Sequence, residues 1–350
     1  MMKKKYLFIA LFSFVLFSCG NDEDGMTYAQ PIEVGETTQM KAAKEIAEEL
    51  WVTSPLQQQP LSEARTNVFE KIQKLADDCS SDFFESYISA LDQSAEMREK
   101  YDPALALYRL SLDHVLNAVK TTTVENGTTC IWQLYNMGYI VKTPTTCFGI
   151  DINHRWAEKL EPYLDFLCIT HNHQDHYNTA LINAMLNAGK PVYSNFVKGG
   201  YTSTANTDYQ YNNVKIHVSI TDHNNSGLSN FVSVFTFECG DDSGNFTLLH
   251  TGDSNFKPEQ YTNILPHVNV LIPRYAPNAL TENNIIGTGE GQTTPDYVLL
   301  SHILELSHVS EEESRWSLKS ALERASKLNC PNSVVPFWGE KLVWKDGKLN

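Results

Sequence analysis

Four ligand-type side chains fall within six residues at the end of one apolar stretch, and no other feature limits this chain so strongly. Phe166-Leu167-Cys168-Ile169 reads as a buried strand, and the segment that follows it is Thr170-His171-Asn172-His173-Gln174-Asp175-His176. In extended chain, residues two apart point to the same side, so His171 and His173 can share one metal ion. Asp175 and His176 then turn toward a second position. Four such side chains exceed what one tetrahedral ion takes from a single loop, so the HxHxDH spacing asks for a fold that brings further ligands to this strand end.

The rhythm of the chain changes once. Over residues 36–122 apolar residues recur at helical spacing: Ile46, Ala47, Leu50 and Trp51 in one run, Val68, Phe69, Ile72 and Leu75 after Ser62, Phe84, Tyr87 and Ile88 after Ser81, and Leu107, Leu110, Leu112 and Leu116 after Asp102-Pro103. Ser62, Ser81 and Asp102 are the expected N-caps, and proline suits a first helical position. From Asn126-Gly127 onward short strands take over. Val214, Ile216, Val218 and Ile220 alternate with polar residues, residues 231–239 and 245–250 flank the turn Asp241-Asp242-Ser243-Gly244, and 268–272 and 297–300 are short apolar runs. Helices are expected between them, over 179–188 behind Asn178 and from the capping box Ser310-Glu311-Glu312-Glu313 to about Leu328. The predicted organisation is a smaller all-helical region, 36–122, followed by an α/β region, 123–350.

The HxHxDH loop on this pattern resembles the metallo-β-lactamase superfamily of binuclear metallohydrolases, over about residues 128–340. The resemblance implies an αββα sandwich, two mixed sheets between helices. It also implies roles for further residues. Asp151, closing Phe148-Gly149-Ile150-Asp151, would support the ligands from behind. His223, in Thr221-Asp222-His223-Asn224, would join His171 and His173 on the first ion. Asp253, closing Leu248-Leu249-His250-Thr251-Gly252-Asp253, would bridge to the second ion, which Asp175 and His176 also hold. Asp222 and His250 are expected to be structural. Three alignments stay open for the last ligand. His302 ends an apolar run. His308 lies six residues on, as ligand or as support. In Val334-Val335-Pro336-Phe337-Trp338-Gly339, Trp338 falls where sugar-phosphate lactonases of the superfamily carry a histidine. The set is imidazole and carboxylate without thiolate, which suits two zinc ions first, with manganese or iron as alternatives. Two ions about 3.5–4 Å apart would share a bridging hydroxide and clamp the developing oxyanion. Asp175 would orient that nucleophile and accept its proton.

The activity this implies is hydrolysis of an ester-type bond, a phosphodiester, lactone or thioester, in a small-molecule substrate. True β-lactamases of the superfamily carry Cys or Ser where Asp253 stands, so β-lactam hydrolysis is not expected. Arg274 is read either as a binder of a substrate anion or as a structural arginine. Tyr275, Trp338 and Glu340 are candidates for the pocket wall, and the helical region is a candidate cover for the site.

The N-terminus reads as an address. Lys3-Lys4-Lys5 precede a twelve-residue apolar run, Tyr6 to Phe17. A helix of that length reaches about 18 Å, short of the roughly 30 Å hydrocarbon core, so residues 1–18 read as a signal peptide. Leu16-Phe17-Ser18-Cys19-Gly20 resembles a bacterial lipobox, with Phe17 bulkier than usual there, and implies lipid attachment at Cys19. Asn21-Asp22-Glu23-Asp24, in the tether 19–35, is similar to the export signal of some Gram-negative surface lipoproteins. The expected product is a lipoprotein held to a membrane by its lipid, on the periplasmic side or at the outer-membrane surface. Without residues 1–18 the formal charge falls from −15 to −18, against a nucleic-acid partner, because phosphate binding needs a basic face. None of the seven cysteines forms a CxxC pair, which disfavours a thiolate zinc cluster. Cys130 and Cys147, on successive strands, are either a disulfide or two buried thiols. The alternative to an enzyme is a non-catalytic lipoprotein using the same fold for metal binding or scaffolding.

Overall fold

The computed structural model describes residues 36–89, 94–276, 279–308 and 315–350. Cys19 with its lipobox and tether, and the Ser310 capping box, lie outside the described residues. Five helices come first: α1 (Thr38–Trp51), α2 (Glu63–Asp78), α3 (Ser81–Ser89), α4 (Ser94–Tyr101) and α5 (Pro103–Thr121). Thr37, Ser62 and Asp102 each accept a backbone N–H from three residues on, satisfying a donor the helix cannot use. For α3 the cap is Ser80, accepting from the Phe83 N–H, and not Ser81 as expected. Helix α4 has no signature in the sequence: its buried residues are Ala95 and Glu99, too few to leave an apolar stripe.

The strands follow. They are β1 (Thr128–Gln133), β2 (Tyr139–Lys142), β3 (Cys147–Ile150), β4 (Phe166–Cys168), β5 (Val192–Ser194) and β6 (Tyr201–Thr202), with α6 (Thr179–Asn187) between β4 and β5. Next come β7 (Thr207–Tyr211), β8 (Val214–Thr221), β9 (Val232–Glu238), β10 (Thr247–His250), β11 (His267–Ile272) and β12 (Thr294–Leu299). Then α7 (Leu318–Ala325), capped by Ser317, precedes β13 (Ser333–Val334), and the hairpin β14 (Lys341–Lys345) and β15 (Lys348–Leu349) returns to the first sheet. The first sheet has the order β15-β14-β1-β2-β3-β4-β5-β6 and the second β13-β12-β11-β10-β9-β8-β7. Both are mixed. Pairing is antiparallel from β15 to β3 and parallel from β3 to β6 in one, and parallel from β13 to β10 then antiparallel to β7 in the other.

The two sheets face each other across an apolar layer. Ile131, Val141, Phe148 and Phe166 from the first meet Ile216, Phe235, Phe237 and Val270 from the second. The Phe148 ring stacks on Phe166 at 4.6 Å and on Phe237 at 4.8 Å, an arrangement that locks the sheets in register. The outer face of the first sheet is covered by Leu112, Val115 and Val119 of α5 and Leu181, Ile182 and Met185 of α6. Outside the second sheet, Leu249, Leu271 and Val298 share one cluster with Leu318 and Ala321 of α7 and with α1, α2 and α3. The fold is therefore α/β, two mixed sheets between helices, and α5 belongs to both outer layers. Arg65 of α2 fixes the junction: its guanidinium meets Glu340 at 2.6 and 2.9 Å and donates to Val335 O, all buried.

The six described cysteines are free and buried, so Cys130 and Cys147 form no disulfide. Both lie opposite Lys142 of β2, one on each side, which puts two strand spacings of about 4.8 Å each between them, beyond disulfide reach.

Candidate metal centre

Five strand ends converge here, and each delivers a polar residue: Asp151 follows β3, residues 170–176 follow β4, His223 follows β8, Asp253 follows β10 and His302 follows β12. Three of these turns use left-handed backbone, at Asp151 (φ 46°), Gly252 (φ 50°) and His302 (φ 64°), and such strain outside glycine is a mark of functional sites. At Gly252 only glycine fits, because a Cβ would sit 2.6 Å from the Thr170 side chain.

Asp151 orients the rings. Its Oδ1 accepts the Thr170 N–H at 2.7 Å, and its Oδ2 accepts the Thr170 hydroxyl at 2.7 Å and lies 2.8 Å from His176 Nδ1. Since that hydroxyl donates to Asp151, its lone pair faces His171 Nδ1, 2.9 Å away. This hydrogen-bond pattern places a proton on each Nδ1 and turns each Nε2 inward, as a ligand requires. His223 differs: its Nδ1 lies 2.9 Å from the Asn225 N–H, a contact that has to open before Nε2 can offer a lone pair.

The donor atoms fall into two outer groups joined by a third, His171, His176 and Asp253. In the first, His171 Nε2 and His173 Nδ1 are 3.1 Å apart, and the His223 ring centre is 5.1 and 4.6 Å from theirs. In the second, Asp175 Oδ2 lies 3.2 Å from both His176 Nε2 and His302 Nε2. Asp253 faces both groups, with Oδ1 3.4 Å from His176 Nε2 and Oδ2 3.4 Å from His223 Nε2. Within each group all donor atoms lie within 4.8 Å of one another.

Burial works against charge here, and the neighbours decide which groups keep it. Burial, helped by His176, holds His171 well below the ordinary imidazole range, and burial also lowers His173. For His176, burial is outweighed by Asp175, Asp253 and Asp151, which hold it well above that range. Asp175 and Asp253 are held well below the carboxylate range despite burial, by His176 and His302. His176 Nε2, His223 Nε2 and Asp253 Oδ1 are buried without a hydrogen bond of good geometry, although carboxylate or imidazole atoms lie 3.2 to 3.4 Å off. Three orphaned polar atoms turned to one spot are costly unless something joins them. A divalent cation fits that demand, and the nitrogen and oxygen donor set suits zinc, manganese or iron.

Of the three alignments for the last ligand, the structure brings in His302. His308 lies behind it, its Nδ1 3.2 Å from Glu305 Oε2 and its ring centre 6.2 Å from that of His302. Trp338 is buried against Phe337, Tyr135 and Tyr108, so it meets neither the ligand groups nor a solute. Arg274, read either as a binder of a substrate anion or as structural, is buried over the Phe256 ring and donates from Nε and Nη1 to the carbonyls of Ser254 and Tyr275. Glu340, paired with Arg65, and Tyr275, buried against Trp316, do not line the site either. Asp222 and His250 are structural as expected, Asp222 accepting from the Asn230 N–H and His250 bonding the Met137 carbonyl. Two residues of the site went unread in the sequence. Asn136, in the β1–β2 turn, donates to Asp175, and Phe231 sets its half-buried ring 5.6, 5.0 and 5.8 Å from those of His171, His173 and His223. Neither carries a spacing signal.

No family model and no curated protein matches the sequence. Similar solved structures include a metallo hydrolase from the archaeon Ignicoccus hospitalis, 14% identical with a TM-score of 0.43, covering 62% of this chain and 99% of that one. A metallo-beta-lactamase fold protein from Bacillus subtilis is 16% identical with a TM-score of 0.41, over 62% of this chain and 99% of its own. A diiron beta-hydroxylase from Streptomyces venezuelae is 12% identical with a TM-score of 0.42, over 64% of this chain and 55% of its own.

Proposed function

We propose that this chain is a binuclear metal-dependent hydrolase of an ester-type bond, a phosphodiester, lactone or thioester, exported and lipid-anchored through Cys19. The observation that carries the reading is the pair of adjoining ligand groups bridged by Asp253, with buried orphaned atoms in both. His171, His173 and His223 would hold one ion and Asp175, His176 and His302 the other. When bound, such a pair supplies Lewis acidity and brings the pKa of a shared water toward neutrality.

The chain's own residues set the rest. Asp151 keeps His176 and, through Thr170, His171 in the orientation that faces inward. Asp175 is the least buried of the carboxylates here and stays ionised, so it is the group placed to orient an attacking water and take its proton. Phe231 gives the first group an apolar wall, which excludes bulk water on that side and strengthens electrostatic contacts. The anchor and the location outside the cytoplasm rest on the sequence of residues 1–35.

The test is a substrate panel on metal-loaded protein: a phosphodiester, a lactone, a thioester and a β-lactam, with His171→Ala as control. Turnover is expected for one of the first three classes. It should fall in the control by more than the roughly 10–100-fold typical of residues behind the ligands. Activity that survives His171→Ala would contradict the site assignment.

A further inference from the structure

We infer that the tip of the β1–β2 hairpin, Tyr135-Asn136, is a positioning device for the second ligand group, and that the helical layer acts on that group through it. The inference rests on the two-ion reading above. Asn136 is buried, and its backbone is left-handed (φ 54°), which asparagine tolerates better than most residues. Its carbonyl accepts from Gln133 Nε2 at 3.2 Å, so the turn is fixed from within the hairpin. Its Nδ2 donates to Asp175 O at 3.3 Å and to Asp175 Oδ2 at 3.0 Å. Oδ2 is the same oxygen that faces His176 and His302, so the amide sets the rotation of the carboxylate.

Tyr135 does the corresponding work on the other flank. Its hydroxyl donates to Glu305 Oε1 at 3.0 Å and accepts the Leu306 N–H at 2.6 Å. That pins the turn after His302, in which Leu304 is also left-handed (φ 51°). The Tyr135 ring is itself wedged between helices and core, 5.7 Å from Phe84 of α3, 5.1 Å from Tyr108 of α5 and 5.4 Å from Trp338. The tip thus joins the helical layer to Asp175 on one side and to the His302 turn on the other. Among the described contacts, the first group is oriented elsewhere, His171 through Thr170 and both His171 and His173 beside Phe231.

The experiment is a metal titration of the metal-free full chain, with Zn2+ in competition with a chromophoric chelator, reading the number of ions bound and the affinity of each. Asn136→Gly removes the amide and keeps the left-handed turn. Asn136→Asp sets a carboxylate oxygen against Asp175. Tyr135→Phe keeps the ring and removes the hydroxyl. Each is expected to weaken the second ion by about 10–100-fold and to leave the first ion unchanged in a metal-free chain that still melts cooperatively, with Asn136→Asp the most severe. Wild-type affinity for both ions in all three variants, or equal weakening of both, would overturn the inference and leave the two-ion reading standing. A wild-type chain that binds fewer than two ions would overturn the two-ion reading and the inference with it.

Discussion

The two ligand groups are assembled differently. His171 and His173 come from one loop, and only His223 has to be brought in, from the end of β8. The second group takes Asp175 and His176 from that loop but needs His302 from 127 residues beyond Asp175, on a turn held by Tyr135. Each group thus pairs two residues of one loop with one from a distant strand; what separates them is support, since the turn carrying His302 is held by Tyr135, whose ring packs into the helical layer. The lesson is that damage far from the site should reach the second group before the first.

The most severe way to break that comparison is Asp253→Ala, because Asp253 faces both groups. Metal analysis should show both ions weakened and turnover at background. Loss of one ion only would make Asp253 a ligand of a single group. Next in size is Arg65→Ala, which leaves Glu340 buried and unpaired, its carboxyl raised by burial. Urea unfolding should show a loss of about 3–5 kcal/mol. If the helical layer acts only on the second group, the first ion should keep its affinity in this variant.

Thr170→Val sharpens the contrast from the other side. It removes the hydroxyl between Asp151 and His171, so the first ion should weaken by about 10-fold and the second less. The opposite order would show that Asp151, and not Thr170, governs both groups.

The last effect concerns acid. His154 lies flat on Tyr108 of α5, 3.8 Å between ring centres, donates from Nε2 to the Tyr108 carbonyl and accepts the Trp156 N–H at Nδ1. Only the neutral ring satisfies both contacts, and burial pushes its pKa down from 6.5 to about 3. Below pH 6.5 the unfolded chain therefore takes the proton first. His154 leaves stability unaffected above that pH and lowers it as pH falls toward 3, by at most about 1.4 kcal/mol per pH unit. His154→Gln should flatten part of that slope in pH-dependent urea unfolding. An unchanged slope would mean that acid acts elsewhere.

Sequence patterning reached the sandwich because its strands alternate or run apolar between turn residues, as Val214 to Ile220 do, and because ligand residues sit where those runs stop. It failed where a contact has no local trace. Asn136 is one asparagine in a tight turn, and its bond to Asp175 spans 39 residues. Trp338, Glu340 and Arg274 suggested a pocket because they are large or charged, but partners 275 residues away or neighbouring carbonyls take them into the interior. Helix α4 escaped because its burial comes from packing by α5 and not from an apolar stripe of its own. The choice between His302 and His308 likewise needed tertiary structure, since both follow the same apolar run.

The central claim is that this fold assembles two cation sites bridged by one carboxylate. Elemental analysis of the purified full chain, after removal of loosely held metal, tests it most directly. Two transition-metal ions per chain are expected in the wild type. Fewer than two tightly bound ions per chain would contradict it.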